Sequence, residues 1–266
     1  MALRLPHFII AGAPRTATTW LYEVADRHPD IAMARPRSPE PKFFLVDEFY
    51  ERGLPYYSAT WFDPLPDRRY YGEKTTNYLE SETACMRIAR DLPDVRLVFL
   101  LRDPVERAYS NYLWSMRNGF ETEEFDRALE LESGRERSVP PALRYARPHA
   151  YFSRGLYAEL LRCWFERFPR EHILVLRTED VADNPCEVAQ TFHRFIGVAG
   201  KPSLVEGLGT INTARPDGTP PLRSDLRASL YERYRKPNAD LTRLLGDSFV
   251  GWESPVAVND SPAPRH

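Results

Sequence analysis

The feature that most constrains the fold lies near the start of the chain, where a short apolar run ends in glycine. Residues 7–11 predict a buried strand that ends at Gly12, and the pattern from Thr18 to His28 predicts a helix. A strand that passes through a short loop into a helix gathers free backbone N–H groups and the positive end of the helix dipole. This arrangement favours the binding of a phosphate group.

The loop between the strand and the helix carries groups that suit an anion. Arg15 supplies a mobile positive charge. Hydroxyl donors follow at Thr16, Thr18 and Thr19. An alternative remains open, because a threonine at this position can simply cap the helix. The loop also lacks the Gly-Lys pair of nucleotide triphosphatases, and Asp103, which follows a hydrophobic strand, precedes Pro104 in a helix-opening pair.

Short apolar runs alternate with amphipathic stretches along the rest of the chain, which is typical of a parallel sheet wrapped by helices. The strongest strand is 95–101, whose continuous hydrophobicity predicts burial on both faces. Shorter strands are predicted at 70–71 and 173–176, helices at about 104–118, 155–168, 185–196 and 222–245, helical fragments within 43–71, and a long loop over 133–153. We expect a single α/β domain over residues 1–254, with a P-loop-like, mostly parallel central sheet flanked by helices, and a disordered tail over 255–266.

The charge and composition of the chain indicate which partners and which compartment to expect. The formal charge of the 266 residues is −2, which gives no global reason to expect nucleic acid or an anionic membrane. The three cysteines are far apart and predict free thiols in a reducing compartment. The chain contains no apolar stretch of about 20 residues and no signal-peptide pattern at its start, so we expect a soluble, cytoplasmic protein.

The segment from Gly12 to Leu21 reads GAPRTATTWL and resembles the 5′-phosphosulfate loop of sulfotransferases that use 3′-phosphoadenosine 5′-phosphosulfate (PAPS), commonly G-x-x-K-[ST]-G-T-T-x-L. The sequence departs from that pattern at Arg15, where the family usually has lysine, and at Ala17, where it usually has glycine. Arginine keeps the charge, while alanine fits only if its φ angle is negative. The resemblance implies that residues of this loop bind PAPS: Arg15, Thr16, Ala17, Thr18, Thr19 and Trp20.

A second segment, residues 100–112, reads LLRDPVERAYSNY and resembles the family's 3′-phosphate motif, R-[DN]-P-x-x-R-x-x-S-x-[WY]. The resemblance implies that Arg102 and Ser110 anchor the 3′-phosphate. Arg102 follows a predicted strand, where ligands of parallel sheets bind, which agrees with this role. Arg107 can equally be a surface or ion-pair arginine.

Two further segments resemble the heparan-sulfate-type branch of the family and its bacterial relatives. Residues 37–44 resemble its K-E-x-[HQ]-F-F segment, which implies that Glu40 is the general base; the alternative is a solvated carboxylate in a turn. Residues 72–79 resemble G-E-K-[ST]-x-x-Y-[FL], which implies that Lys74 neutralises charge on the sulfuryl and leaving oxygens, together with Arg15. The alternative for Lys74 is a surface ion pair with Glu73.

Weaker resemblances complete the predicted nucleotide pocket. Ser153–Tyr157 resembles the S-x-G-x-Y segment and implies that Tyr157 contacts the cofactor. Arg177 can reach the nucleotide or pair with a nearby acid. The loop 212–220 takes the place of the family's late glycine loop and adds three binding residues, Arg215, Gly218 and Thr219. His149 is an alternative base.

We therefore expect in-line transfer of a sulfuryl group from PAPS to a hydroxyl or amine, with adenosine 3′,5′-bisphosphate (PAP) as product and no metal. The expected acceptor is a small molecule, a glycan or a secondary metabolite, and the sequence leaves its identity and the oligomeric state open. Two other classes remain open, a P-loop kinase-like phosphotransferase and a non-catalytic nucleotide-binding protein. The second is suggested by Arg15 and by Pro39, which replaces the lysine of the family segment.

Overall fold

Five parallel strands form one sheet in the order β2-β3-β1-β4-β5. The computed structural model describes residues 3–140, 144–209, 220–246 and 249–252. The strands are β1 (Phe8–Gly12), β2 (Ile31–Met33), β3 (Tyr70–Lys74), β4 (Arg96–Leu101) and β5 (Ile173–Arg177). The predicted α/β class with a parallel central sheet is confirmed, and the short strand β2 was not predicted.

The two middle strands hold the sheet in the interior. All five residues of β1 are buried, and so are the last five of β4, because both sequences are apolar on both faces. The side chains of Ile9 and Leu97 pack into the core on one side of the sheet, while those of Ile10 and Val98 pack into the core on the other. Because successive side chains of a strand point to opposite faces, these strands contribute residues to a core on each side of the sheet.

Ten helices surround the sheet within the described ranges: α1 (Thr18–Asp26), α2 (Asp47–Tyr50), α3 (Gly53–Trp61), α4 (Glu82–Asp91), α5 (Pro104–Arg117), α6 (Phe125–Ser138), α7 (Tyr157–Arg167), α8 (Thr178–Asp183), α9 (Pro185–Ile196) and α10 (Ser224–Leu245). The helices predicted near 104, 155, 185 and 222 are confirmed, as are the short fragments within 43–71. None of the helices among these residues is long and apolar enough to cross a membrane.

The prediction of a long loop over 133–153 is wrong in its first part. Helix α6 continues through Ser138 because Phe125, Ala128, Leu129 and Glu132 are buried on one face of it. The Glu132 carboxylate accepts hydrogen bonds from the backbone N–H groups of Phe152 (2.6 Å) and Ser153 (2.8 Å). Tertiary packing thus extends a helix whose arginine-rich end suggested a loop.

Candidate active site

The loop after β1 has a backbone that the sequence did not predict. Arg15 and Ala17 both adopt left-handed conformations, with φ angles of 72° and 56°. The expectation that Ala17 has a negative φ is therefore wrong. Left-handed residues in a tight loop turn successive N–H groups toward one point, which forms an anion-binding nest. This geometry also explains why glycine suits the position of Ala17.

The threonines do not simply cap the helix. The N-cap of α1 is Ala17, which has no side-chain acceptor for the first-turn N–H groups. The Thr16 hydroxyl donates instead to the carbonyl of Ala13 (2.6 Å), and its side chain is buried. The loop is also held close to its neighbours, because a Cβ on Gly12 would lie 2.6 Å from Leu79 Cβ and 2.9 Å from the Thr76 carbonyl oxygen.

A cavity of about 620 Å³ opens at the carboxyl edge of the sheet and brings together most of the predicted site residues. They lie far apart in sequence and meet because β1, β3 and β4 end side by side. The predicted residues that line this cavity, which we call the edge cavity, are Arg15, Thr16, Ala17, Thr18, Thr19, Trp20, Glu40, Lys74, Arg102 and Ser110.

One side of the edge cavity carries a cluster of arginines, although Glu106, which lies 4.0 Å from Arg102, and Glu179 line the same cavity. Arg15 Nε donates to Ser110 Oγ (3.3 Å), which joins the first loop to helix α5. Burial lowers the pKa of Arg15 to about 10, and the charges of Arg117, Arg102 and Arg107 act in the same direction. The guanidinium remains protonated at neutral pH, so this side of the cavity suits an anion that relieves the repulsion among the arginines.

On the other side of the edge cavity, Glu40 and Lys74 form an ion pair through Glu40 Oε1 and Lys74 Nζ. The second oxygen, Glu40 Oε2, accepts hydrogen bonds from the backbone N–H (2.9 Å) and the hydroxyl (3.1 Å) of Thr76. The Lys74 side chain is only 7% exposed and that of Glu40 16%. Glu40 is therefore a fixed carboxylate rather than a solvated turn residue. Sequence reasoning did not single out Thr76, although it lies two residues after Lys74.

Glu73, the alternative partner of Lys74, lies on the opposite face of β3. Its carboxyl group is fully buried and accepts a hydrogen bond from the Tyr57 hydroxyl (2.6 Å). Burial raises the pKa of Glu73 to about 8, although hydrogen bonds from Tyr57 and Tyr78 act in the opposite direction. Glu73 is therefore mostly protonated at neutral pH, and Lys74 directs its charge to Glu40.

Arg107 and Tyr157 lie beneath the edge cavity rather than in it. Arg107 is fully buried and donates to the Tyr151 carbonyl, so it is not a surface residue. Tyr157 is 1% exposed, and its hydroxyl donates to the Arg102 carbonyl (2.9 Å). Tyr157 does not line the edge cavity and instead supports the backbone at Arg102, so its contact with the cofactor stays a prediction.

The other predicted residues lie away from the edge cavity or outside the described residues. Arg177 forms long ion pairs with Glu179 (3.8 Å) and Asp180 (3.9 Å). His149 lies 3.8 Å from Glu121 and lines a separate cavity with Arg135, which leaves Glu40 as the base candidate in the edge cavity. The three late-loop residues, Arg215, Gly218 and Thr219, lie outside the described residues.

The left-handed backbone at Ala17 leads to a testable prediction about the stability of the protein. Ala17→Gly removes the Cβ that opposes this conformation, so the free energy of unfolding rises by about 0.5–1 kcal/mol after allowance for the flexibility of glycine. Chemical denaturation followed by tryptophan fluorescence measures the change. The control Ala228→Gly, on the exposed surface of α10, lowers stability by about 1 kcal/mol. A similar loss in Ala17→Gly would contradict the assigned strain.

The buried Glu73 carboxyl makes stability depend on pH. Between its ordinary value of 4.5 and its folded value of about 8, the folded protein keeps a proton that the unfolded chain releases. The free energy of unfolding therefore falls as the pH rises through this window, by up to about 1.4 kcal/mol per pH unit. Urea unfolding across the window measures the slope, which Glu73→Gln reduces and which Glu166→Gln, an exposed control on α7, preserves. Equal slopes in all three proteins would exclude a protonated Glu73.

Comparisons with known proteins agree with this geometry. The family model described as Sulfotransferase domain matches residues 5–208. A sulfotransferase from Alicyclobacillus acidocaldarius is 27% identical with a TM-score of 0.73, and the alignment covers 91% of this chain and 96% of that one. A mouse sulfotransferase complexed with PAP shares the fold, with 18% identity and a TM-score of 0.51 over 76% of this chain and 62% of that one.

The human bifunctional heparan sulfate N-deacetylase/N-sulfotransferase 3 is 28% identical over 94% of this chain. The alignment covers 31% of that protein, so this chain spans less than a third of its length. The family model, by contrast, covers most of the 266 residues. The predicted resemblance to this family is thereby confirmed: the chain belongs to the sulfotransferase domain family.

Proposed function

We propose that this protein transfers a sulfuryl group from PAPS to a hydroxyl or amine of an acceptor. The observation that carries the proposal is that the Glu40–Lys74 pair and the arginine-lined loop face the same 620 Å³ cavity. One half of this cavity suits a doubly phosphorylated nucleotide, and the other half holds a carboxylate that can accept a proton. Membership of the sulfotransferase domain family supports the same reaction.

The arginine side of the edge cavity would hold the donor. The nest around Arg15 and Ala17 offers backbone N–H groups to the 5′-phosphosulfate, and Arg102 with Ser110 offers a guanidinium and a hydroxyl to the 3′-phosphate. The mutual repulsion of the arginines fits this assignment, because an anion restores the charge balance. When bound, PAPS supplies the sulfuryl group and leaves as PAP.

Glu40 would act as the general base. Thr76 fixes Glu40 Oε2, so Oε1 is the oxygen that can take the acceptor's proton as the new S–O bond forms. Lys74 would release Oε1 and turn its ammonium toward the sulfuryl oxygens and the leaving phosphate oxygen. The ion pair thus holds both reacting side chains in position before the substrates bind.

A phosphotransferase of the P-loop kinase type is not favoured, because Asp103 is already engaged. Its Oδ1 accepts from the Val105 (2.8 Å) and Glu106 (3.2 Å) N–H groups, and its Oδ2 accepts from the Tyr231 hydroxyl (2.5 Å). The carboxylate therefore caps helix α5 rather than facing a nucleotide-bound metal ion. This agrees with the missing Gly-Lys pair of the loop.

The roles of Glu40 and Lys74 can be tested with labelled PAPS and a broad panel of acceptors. Glu40→Gln removes the base and lowers kcat by about 10²–10⁴-fold, while Lys74→Ala lowers kcat by about 10²–10³-fold through lost charge stabilisation. Both variants still bind PAP. The controls Glu166→Gln and Lys236→Ala, on exposed helix surfaces, retain wild-type turnover. PAP binding without transfer to any acceptor by the wild-type protein would favour a non-catalytic nucleotide-binding protein.

The hydrogen bond from Arg15 to Ser110 predicts that the arginine cannot be replaced by lysine without loss. Arg15→Lys keeps the charge but loses the fork, so the affinity for PAP falls about tenfold, or ~1.4 kcal/mol. Calorimetric titration measures this change, and Arg235→Lys on the exposed surface of α10 is the control. Unchanged PAP affinity would show that charge alone suffices, and stabilisation by ATP–Mg but not by PAP would overturn the donor assignment.

A further inference from the structure

We infer, on the basis of the proposed function, that the acceptor is an uncharged alcohol or phenol with an apolar body, bound in a second cavity beyond Glu40. This cavity measures about 1040 Å³ and lies between the segment 36–49, Trp61, the start of α4 and the segment 144–147. Among the described residues, Glu40 alone lines both this cavity and the edge cavity. We call the second space the acceptor cavity.

The position of Glu40 supports the inference that the acceptor binds in this cavity. A general base must reach the acceptor's proton while the acceptor oxygen faces the sulfuryl group. The Glu40 carboxylate meets this condition because it lines both the edge cavity, where the donor would bind, and this larger space. A hydroxyl that enters through the acceptor cavity therefore meets Glu40 before it meets the donor.

The charges that line the acceptor cavity do not form a cationic surface. The described lining contains five carboxylates and three cations. Arg147 forms ion pairs with two carboxylates: its Nη1 lies 2.7 Å from Glu80 and its Nε lies 2.9 Å from Glu136. Glu80 also pairs with the buried Arg154 (2.8 Å). This network leaves no net positive charge for a ligand.

The other charges of the lining lead to the same conclusion. Asp47 pairs with Arg87 (2.6 Å), and Lys42 Nζ lies 3.7 Å above the Tyr145 ring. Glu48 and Glu82 are exposed at the rim, and neither forms an ion pair within the described ranges. Arg144, an exposed cation of the same lining, offsets part of this negative charge, but five carboxylates against three cations leave no surplus of cations for a polyanionic glycan.

Most of the uncharged part of the lining is apolar, and Asn77, Ser81 and Thr83 add polar groups. Leu45, Val46 and Phe49 face the acceptor cavity with three prolines and the ring of Trp61, which is 7% exposed. Cavities of this kind bind ligands by burying apolar surface and fix their orientation with a few polar groups. Here Glu40 supplies the polar group at the reacting end, and Asn77 supplies an amide on the wall. An alcohol or phenol with an apolar body matches both parts.

The experiment compares matched acceptors with PAPS as donor: 2-naphthol, 6-hydroxy-2-naphthoate and a heparosan oligosaccharide, which is polyanionic. We expect kcat/KM for 2-naphthol to exceed that for either anion at least about tenfold. The double variant Glu48→Lys/Glu82→Lys reverses the charge at the rim. It therefore reduces the ratio of kcat/KM for the neutral acceptor to kcat/KM for the anionic acceptors by about fivefold or more, mainly through KM. The control Glu166→Lys, outside the cavity, leaves the ratio unchanged.

The outcomes separate this inference from the proposed function. Sulfation that favours the naphthoate or the oligosaccharide over 2-naphthol overturns the uncharged acceptor but keeps the sulfotransferase reaction. An unchanged acceptor ratio in the double variant overturns the assignment of the cavity. If no acceptor is sulfated and PAP does not bind, the proposed function fails and the inference fails with it.

Discussion

The parallel direction of all five strands is the constraint on which the rest of the molecule depends. Since every strand ends at the same edge of the sheet, residues near 15, 74, 102 and 178 meet there although they are far apart in sequence. Strands β1 and β4, which deliver residues near 15 and 102, are buried, so these backbone positions are rigid. Glu40 is the exception because it lies in a loop, and its two hydrogen bonds from Thr76 fix it to the segment after β3.

The same edge carries two different electrostatic environments. Around Arg15 the charges of Arg117, Arg102 and Arg107 repel its guanidinium, which costs energy in the free protein and makes an anion favourable. Beyond Glu40 the lining holds more carboxylates than cations, and several of them are paired, so the acceptor cavity has no electrostatic preference for anions. The Glu40–Lys74 ion pair stands at the boundary between the two. The proposed reaction, between an anionic donor and a neutral acceptor, fits this division of charge.

The fold class, the strands that carry the site and ten of its residues could be predicted from the sequence, because they depend on apolar periodicity and on local motifs. What could not be predicted depends on contacts between distant segments. The buried environments of Glu73 and Arg107 arise from Tyr57 and Tyr151, which are 16 and 44 residues away. The extension of α6 likewise depends on bonds from residues 152 and 153 to Glu132. Side-chain burial of this kind leaves no periodic pattern.

The two departures from the family loop become connected once the backbone is known. A left-handed residue is needed at position 17 to form the nest, and alanine keeps this backbone at an energetic cost that glycine avoids. The side chain of Arg15, two residues earlier, donates through Nε to Ser110 and so joins the two predicted phosphate motifs. A lysine in its place would supply one nitrogen, whereas the guanidinium keeps both Nη groups for a ligand while Nε holds the motifs together. The arginine therefore joins the two motifs and, in the proposed function, also offers its remaining nitrogens to the anionic donor.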